Sequence, residues 1–354
     1  MNYPKWVVLQ ITEHCNLRCK MCYEWGENGS YLDKKNLHNL SLNKIEEIFS
    51  DLSNKNTYFE LFGGEPLMHP DFSHIMELVK KYNCKIDIPT NGTLLSKYAE
   101  KIVSAQVRRI WISLDGPEEI NDAQRGNGVY KRATEGIKKL QSLKKQYNSE
   151  YPWIGATFVL TPLNYTYLKS FVENELIPLN LDYISIEFQL YLTQQRYDDY
   201  LEYLSKDMNI SSKSVASGLI RNLKDFENID LDELIYQVKE AQKLILDNNI
   251  KLIGYPNYIE KENLKNFYSG NWDMMKEKKK SCPFPWIYME VAANGDVTPC
   301  HTFYDFKMGN VYEKRILDIW NDSKYLLFRK HLKKGITPLC CACSRYYDKP
   351  EDRK

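Results

Sequence analysis

The cysteines are the residues whose spacing most directly predicts chemistry, and all but Cys84 fall into two groups. The first group is Cys15, Cys19 and Cys22. The second group contains Cys282, Cys300, Cys340, Cys341 and Cys343. Thiols clustered in this way, in a chain of 354 residues that can build its own core, are typical of metal ligands in a reducing compartment rather than of a disulfide framework. We interpret Cys84 as a packing residue.

The first group has the spacing C-x3-C-x2-C. Three thiolates can bind three irons of a [4Fe–4S] cluster and leave the fourth iron open, as a reactive metal site requires. The alternative is a zinc site, which needs a fourth ligand, and His14 is the nearest candidate. Because His14 directly precedes Cys15 and would have to fold back, the spacing favours the cluster.

The second group contains enough thiols for a closed site. Four thiolates complete a tetrahedral or cubane centre, and Cys340 and Cys343 form a C-x2-C pair. A zinc knuckle that holds the C-terminus is the alternative. Cys341 is surplus in this arrangement, either as a small residue beside a ligand or, in a shifted register, as the ligand in place of Cys340.

The elements that position these cysteines follow from hydrophobic periodicity. From residue 5 to about 191, six apolar runs alternate with five amphipathic stretches, which predicts parallel strands with helical crossovers and an α/β fold. The predicted strands are Trp6–Thr12, Tyr58–Phe62, Lys85–Thr90, Arg109–Asp115, Trp153–Thr161 and Tyr183–Tyr191. The first cysteine group therefore lies at the carboxyl end of the first strand, where α/β barrels carry their active sites.

The sixth predicted strand alternates apolar and polar residues. Its polar face includes Glu187 and Gln189, which we expect to line a lumen and to contact substrate. The alternative is an edge strand whose polar face meets solvent, because six strands need not close a barrel.

The rest of the chain divides into two parts. Residues 193–281 are polar, helix-rich and free of cysteine, and we interpret them as a helical insertion after a core of residues 1–192. They end in the charged run Lys276–Lys280, which we expect to be solvated. Residues 282–354 are expected to form a small metal-binding domain, with a hairpin around Asn294-Gly295 and a helix over Ile316–His331.

The overall charge excludes some function classes. Lys and Arg number 48 and Asp and Glu 47, so no global basic field favours nucleic acid as a partner. No run of 18 apolar residues predicts a membrane span. The N-terminus lacks the apolar core of a signal peptide, so we expect a cytoplasmic protein.

Three further motifs follow the cysteine loop in order, after successive predicted strands. They are Gly63-Gly64-Glu65-Pro66, Thr90-Asn91-Gly92-Thr93 and Ser113-Leu114-Asp115-Gly116, and Arg125-Gly126 comes after the last of them. Together with the cysteine loop they resemble the radical S-adenosylmethionine (radical SAM) family. The resemblance implies a partial (β/α)6 TIM-like barrel, here with a helical insertion and a small C-terminal iron–sulfur domain.

The resemblance also implies roles for the motif residues. Cys15, Cys19 and Cys22 would bind a [4Fe–4S] cluster whose open iron chelates S-adenosylmethionine (SAM). The stretch Gly63, Gly64, Glu65 and Pro66 would meet the methionine amino group, and Asn91 would join the SAM site. Ser113 and Asp115 would face the ribose or the methionine end, and Arg125 would pair the carboxylate. Tyr23 would take the adenine contact, because Met21 stands where relatives often have an aromatic residue.

The second cysteine group, with Met308–Val311 and the helix after it, resembles the SPASM/twitch extension of these enzymes. Full SPASM extensions carry further cysteines and a second auxiliary cluster. No cysteine follows Cys343, so we expect the shorter twitch type, with one auxiliary [4Fe–4S] cluster on Cys282, Cys300, Cys340 and Cys343. By analogy with radical SAM epimerases, Cys341 is a candidate hydrogen-atom donor.

The implied activity is radical chemistry supplied by the cofactors. An electron from a flavodoxin- or ferredoxin-like donor would reduce the cluster, SAM would be cleaved to a 5′-deoxyadenosyl radical, and that radical would take a hydrogen atom from substrate. The leading substrate is a ribosomally made peptide that is crosslinked or epimerised, although no leader-recognition domain is expected ahead of the first strand. The alternatives are oxidation or epimerisation of a small alcohol or amino sugar of the aminocyclitol type, and a non-catalytic zinc scaffold.

Overall fold

The computed structural model describes residues 3–211, 215–254, 258–276, 282–301, 304–333 and 335–343. In these residues one sheet runs through the whole molecule. Its first six strands are parallel neighbours in chain order, and they confirm the predicted α/β barrel core. They are β1 (Trp6–Thr12), β2 (Tyr58–Gly63), β3 (Lys85–Thr90), β4 (Arg109–Ser113), β5 (Trp153–Leu160) and β6 (Tyr183–Phe188).

Helices cover the outer face of these strands. Five helices form the first four crossovers: α1 (Leu42–Leu52), α2 (Phe72–Lys81), α3 (Leu95–Ser104), and, both between β4 and β5, α4 (Glu118–Arg125) and α5 (Val129–Gln146). After β5 the chain forms the short α6 (Leu168–Phe171) and a π-helical turn. The helices α1, α2, α3 and α5 each bury an apolar stripe, which in α1 is Ile45, Ile48, Phe49 and Leu52. The buried residues of α4 are instead polar: Asn121, Gln124 and Arg125.

The segment that follows β6 is helical but also extends the sheet. It contains α7 (Gln194–Met208), α8 (Leu231–Asp247) and α9 (Lys261–Tyr268). Between α8 and α9 a short strand, β7 (Lys251–Leu252), pairs in parallel with β6, which the prediction of a purely helical insertion missed. Its two residues carry too little periodicity to be found in the sequence. The predicted charged run Lys276–Lys280 lies outside the described residues, apart from Lys276.

The C-terminal part joins the barrel through its other edge. The predicted hairpin is formed by β8 (Tyr288–Val291) and β9 (Asp296–Thr298), and β10 (Gly309–Asn310) pairs with β9. β8 runs parallel to β1 over four residue pairs. The sheet order is therefore β10-β9-β8-β1-β2-β3-β4-β5-β6-β7. The strand β1, which leads into the first cysteine group, thus lies beside β8, which lies between Cys282 and Cys300 in the chain.

The predicted helix Ile316–His331 is two helices, α10 (Ile316–Trp320) and α11 (Ser323–Leu332). The break occurs because the Asp322 carboxylate accepts a hydrogen bond from the Lys324 N–H and caps α11. Within the described part of the chain, every helix is too short or too polar to cross a membrane.

Aromatic rings close the lower end of the barrel interior. The Tyr183 side chain, fully buried, lies over Gly155 and donates a hydrogen bond to the Ile110 carbonyl at 2.7 Å. Trp111 packs on Tyr183 with ring centroids 4.2 Å apart, and its Nε1 donates to Asp87. The interior therefore opens toward the carboxyl ends of the strands, where the first cysteine group lies.

Gly155 should not tolerate a side chain. A Cβ there would overlap the Tyr183 ring and lie 2.6 Å from the Tyr183 carbonyl oxygen. We expect Gly155→Ala to lower the free energy of unfolding by about 1–3 kcal/mol, as overpacking of a core does. Urea titration followed by circular dichroism measures the loss. Gly335→Ala is the control, because nothing lies within 4 Å of a Cβ at that position; equal stability of the two variants would contradict the packing argument.

Candidate active site

The loop after β1 folds back on its own cysteines. The backbone N–H of Leu17 donates to the Cys15 sulfur at 3.5 Å, and the N–H of Trp25 donates to the Cys22 sulfur at 3.3 Å. The N–H of Cys22 donates to the Cys19 carbonyl at 3.0 Å. N–H groups aimed at sulfur suit thiolates that bind metal, because they stabilise the negative charge on sulfur.

Burial shapes the protonation of these sulfurs. It raises the pKa of the Cys15 thiol to about 12, and it also raises the pKa values of Cys19 and Cys22. Arg125 opposes the effect at Cys19, where its Nη1 lies 4.0 Å from the sulfur. Without metal the three groups are therefore thiols, and metal binding must release their protons. This donor set fits three irons of a [4Fe–4S] cluster.

The arrangement gives little support to a zinc site. Among the described residues, no three side chains of His, Cys, Asp or Glu converge as a single metal ion would require. A cubane cluster requires sulfurs that lie further apart than the ligands of a single metal ion, because each cysteine binds a different iron. His14 takes part through its backbone: its carbonyl accepts the N–H of Glu65 at 2.8 Å.

The Gly-Gly-Glu motif locks the end of β2 to the start of the cysteine loop. A Cβ at Gly64 would lie 2.5 Å from the His14 carbonyl oxygen and 2.7 Å from that of Glu13. A Cβ at Gly63 would meet the Thr12 carbonyl oxygen. The glycines are therefore required by a close approach of two backbone segments of the protein itself, in addition to any ligand that the motif meets.

Glu65 is enclosed by donors from its own chain and the next loop. Its carboxylate accepts hydrogen bonds from the Thr90 hydroxyl at 2.7 Å and from the backbone N–H groups of Asn91 and Leu67, at 2.7 and 3.1 Å. Burial nevertheless raises its pKa to about 7. Pro66, also buried, begins the short 3-10 turn that follows. Glu65 thus ties the ends of β2 and β3 together under the cysteine loop.

Asn91 extends this network to the cysteine loop. Its side-chain amide donates to Asn16 Oδ1 at 2.9 Å, and its oxygen accepts from the Thr93 N–H at 2.9 Å. Asn16 donates in turn to the Thr93 hydroxyl at 2.9 Å. The position of the loop between Cys15 and Cys19 therefore depends on Asn91 and Thr93.

Asp115 and Arg125 form a buried ion pair. Asp115 Oδ2 accepts from Arg125 Nε at 2.6 Å and from Gln124 Nε2 at 2.8 Å, and Oδ1 accepts from the Val159 N–H at 2.8 Å. Asp115 is fully buried, so we assign it to holding Arg125, and its contact with SAM stays a prediction. Arg125 Nη1 lies 4.0 Å from the Cys19 sulfur, and the pairing of Arg125 with the SAM carboxylate stays a prediction. Ser113, half-buried, ends β4 beside Thr157 of β5.

Tyr23 joins the two cysteine groups, a connection that the sequence reasoning missed. Its hydroxyl lies 2.6 Å from His301 Nε2, and His301 Nδ1 lies 3.0 Å from the Glu290 carboxylate. Tyr23 directly follows Cys22, and His301 directly follows Cys300. The histidine next to a predicted ligand was the one signal for this contact, but the pairing of β1 with β8 that creates it is not local. The adenine contact of Tyr23 stays a prediction.

Glu290 is a buried carboxylate whose charge is stabilised by three neighbouring side chains. Tyr288 and Tyr304 donate to its carboxylate at 2.8 and 2.7 Å. Burial alone would raise the pKa of Glu290, but His301 and the tyrosine hydrogen bonds outweigh it and hold that pKa below its usual value. Burial would lower the pKa of His301, and the Glu290 charge raises it instead. The pair is thus held as an ion pair beside β1.

The second cysteine group separates Cys340 from Cys341. Cys340 lies 3.3 Å from the Thr337 hydroxyl, burial raises its pKa to about 12, and its electrostatic neighbours include Cys343 and Cys282. Cys341, 5% exposed, instead donates to the Pro338 carbonyl at 3.0 Å and faces Arg196 and Asp273. These neighbours favour Cys340 as the ligand together with Cys282, Cys300 and Cys343. The hydrogen-donor role of Cys341 stays a prediction, and its thiol is enclosed.

The two polar residues predicted to contact substrate lie at the open end of the barrel. Glu187, in β6, is exposed, and its carboxylate accepts from the Ser185 hydroxyl at 3.2 Å. Gln189 follows β6 and is half-buried. Their roles toward substrate remain predictions.

The raised pKa of Glu65 predicts that the free energy of unfolding depends on pH. Its folded-state pKa of about 7 lies above the ordinary 4.5, so between these values the folded protein keeps a proton that the unfolded chain has lost. The free energy of unfolding of the metal-free protein should therefore fall as pH rises from about 5 to 7, by up to about 1.4 kcal/mol per pH unit from this group. Urea titrations at several pH values measure the slope. Glu65→Gln should flatten it, and an unchanged slope would contradict the assignment.

The two adjacent cysteines give a matched pair of variants. We expect Cys340→Ser to lose about four irons per chain after anaerobic reconstitution, because it removes an auxiliary-cluster ligand. Cys341→Ser should keep the wild-type iron and sulfide content. Iron and sulfide assays with the visible absorption spectrum measure both. Loss of iron from Cys341→Ser alone would show that the shifted register is correct.

Two known protein families match parts of the chain. Residues 9–152 match the radical SAM superfamily, and residues 282–344 match the SPASM iron–sulfur cluster-binding domain. The tungsten-containing aldehyde ferredoxin oxidoreductase cofactor-modifying protein of Pyrococcus furiosus is 26% identical over 96% of this chain and 87% of its own length. A probable GTP 3′,8-cyclase of Methanococcus maripaludis is 33% identical, but over only 49% of this chain and 53% of its own length.

A solved structure shares the whole fold. SuiB of Streptococcus suis bound to S-adenosylmethionine superposes with a TM-score of 0.65 at 17% identity, over 100% of this chain and 78% of that protein. SuiB bound to its precursor peptide SuiA gives a TM-score of 0.62 at 18% identity, over 97% of this chain and 72% of SuiB. At such identities the likeness concerns the fold, while the family matches rest on the sequence. The chain belongs to the radical SAM superfamily and carries a C-terminal SPASM iron–sulfur domain.

Proposed function

We propose that this radical SAM enzyme modifies a ribosomally made peptide, by crosslinking or epimerisation at a carbon held in the barrel interior. The observation that carries the proposal is the pairing of β1, which leads into the first cysteine group, with β8, which lies between Cys282 and Cys300 in the chain. The Tyr23–His301 contact at 2.6 Å joins the two groups. A second metal centre beside the barrel opening suits a reaction in which an electron must leave or re-enter the substrate after hydrogen abstraction.

The residues present suit the cofactors. Cys15, Cys19 and Cys22 would bind the [4Fe–4S] cluster, and a single auxiliary [4Fe–4S] cluster would bind to Cys282, Cys300, Cys340 and Cys343. When bound, the reduced cluster and SAM supply a 5′-deoxyadenosyl radical that abstracts hydrogen.

The protein's own groups would orient SAM and protect the reaction. Arg125 offers its terminal nitrogens to the SAM carboxylate because Asp115 occupies its Nε. The aromatic floor of Tyr183 and Trp111 excludes water from below.

A peptide substrate is supported by the open end of the barrel, at the carboxyl ends of the strands. Glu187 is exposed there and Gln189 half-exposed, so a chain longer than the interior could enter and leave. The structural neighbour SuiB, which covers this chain almost completely, is known with a precursor peptide bound. Peptide backbone amides and side chains would pair with such polar groups.

A small molecule is the second candidate, and the Pyrococcus relative favours it. That protein, aligned over 96% of this chain, is named for modifying the cofactor of a tungsten enzyme. Oxidation or epimerisation of an alcohol or amino sugar belongs to the same class. The polar interior residues Ser113, Thr157 and Ser185 would then hydrogen-bond to hydroxyl groups.

The electron source is also part of the proposal. A flavodoxin- or ferredoxin-like protein in the cytoplasm would reduce the clusters. A reducing compartment suits the nine cysteines, all of which are free of disulfides.

The decisive experiment measures SAM cleavage and substrate mass together. The reconstituted enzyme is incubated anaerobically in D2O with dithionite, SAM and peptides encoded by short reading frames beside its gene. We expect 5′-deoxyadenosine, together with a peptide lighter by about 2 Da for a crosslink or heavier by about 1 Da for an epimerisation that takes up deuterium. The matched control is the Cys15→Ala/Cys19→Ala/Cys22→Ala variant, which should form no 5′-deoxyadenosine.

Two results would overturn the peptide proposal in different ways. Unchanged peptides, with 5′-deoxyadenosine formation stimulated instead by an aminocyclitol such as 2-deoxy-scyllo-inosamine, would establish the small-molecule candidate. Equal 5′-deoxyadenosine from wild type and the triple variant would mean that the cysteine loop does not carry the chemistry.

A further inference from the structure

A segment outside both family matches crosses the cysteine loop. Residues Val215–Leu219 form a 3-10 helix, and Ile220 bridges to Leu192 just after β6. The backbone of this segment is anchored at its C-terminal end, since the N–H of Leu192 donates to the Leu219 carbonyl and the N–H of Arg221 donates to the Leu192 carbonyl, each at 2.9 Å. We call residues 215–221 the loop cover.

The loop cover touches the cysteine loop backbone to backbone. A Cβ at Gly218 would overlap the Tyr23 carbonyl and lie 3.0 Å from the Ser30 backbone nitrogen. Only glycine permits so close an approach. The contact lies one residue after Cys22, so a displacement of the loop cover would displace the third cysteine.

Arg221 fastens the two segments together. Its Nη1 donates to the carbonyls of Gly218 and Ile220, at 2.7 and 2.8 Å, and its Nη2 donates to the Met21 carbonyl at 3.2 Å. One guanidinium thereby binds the loop cover on one side and the cysteine loop on the other. Met21 directly precedes Cys22.

The same guanidinium places a positive charge beside the first cysteine group. Arg221 is half-buried, and its foremost electrostatic neighbour is the Cys22 sulfur, in the residue after the Met21 carbonyl that Arg221 contacts, ahead of Asp225. On the far side, Arg125 lies 4.0 Å from the Cys19 sulfur. The neighbouring Asp115 offsets the Arg125 charge, whereas no carboxylate lies within 4 Å of the Arg221 guanidinium among the described residues.

We propose that Arg221 is a positioning residue that raises the reduction potential of the cluster bound by Cys15, Cys19 and Cys22. The reduction adds one electron, delivered by the donor, to a centre already surrounded by thiolates. A nearby positive charge stabilises the more negative reduced state, and partial burial weakens solvent screening of that attraction. The inference rests on membership of the superfamily and holds for either substrate class.

The test is a redox titration of the reconstituted enzyme, monitored by electron paramagnetic resonance. The relevant cluster is the one whose signal changes when SAM is added. At a fixed potential near the wild-type midpoint, we expect Arg221→Gln to lower the ratio of reduced to oxidised cluster about tenfold, equivalent to about 59 mV for one electron. Arg221→Lys keeps the charge and should change the ratio less than about threefold, on the same electrostatic grounds.

Arg315→Gln is the control for loss of one positive charge. Arg315 is exposed and pairs with Asp51 on α1, and its substitution should leave the ratio unchanged. An unchanged ratio in Arg221→Gln with full iron content would overturn the proposal. If Arg221→Gln fails to retain iron, Arg221→Lys decides: a tenfold fall in that variant, despite its charge, would show that Arg221 acts through loop geometry alone and would also overturn it.

Discussion

The parallel pairing of β1 with β8 is the contact on which the rest of the site depends. It places Glu290 beside Val8 in the sheet and brings the residue after Cys300 to the residue after Cys22. Four backbone residue pairs thus join two metal-binding regions that lie about 260 residues apart in sequence. Without this pairing the polar contacts between them would lack a scaffold, because side-chain hydrogen bonds alone contribute too little to hold two domains.

Buried charges fix the finer geometry. In the pairs of Asp115 with Arg125 and of Glu290 with His301 both acids are fully buried, and each acid accepts additional hydrogen bonds from neighbouring groups. Such pairs add little net stability, because desolvation offsets most of their attraction. Their effect is orientation: a guanidinium and an imidazole held in this way keep one direction in the absence of ligand, as a preorganised site requires.

The sequence predicted the barrel because its signals are local. Six strands, the cysteine loop and the motif residues at the strand ends follow from periodicity and spacing, and their order is the structure's order. The contacts that could not be predicted from the sequence are non-local. The partner of β8, the contact of His301 with Tyr23 and the backbone that Gly63 and Gly64 approach all depend on which segments meet in space. The short β7 was missed because two residues carry no pattern.

The segment between the two family matches explains how one scaffold can differ in reactivity. The matches end at residue 152 and resume at 282, yet Gly218 and Arg221 from the intervening segment contact the cysteine loop itself. The motifs shared by the superfamily supply the cysteines and the residues predicted to contact SAM. The charge and closure around Cys22 come instead from residues that a family pattern does not contain. Reduction potential can therefore change along this segment while the cluster ligands stay fixed, because potential responds to surrounding charge and burial as well as to ligand identity.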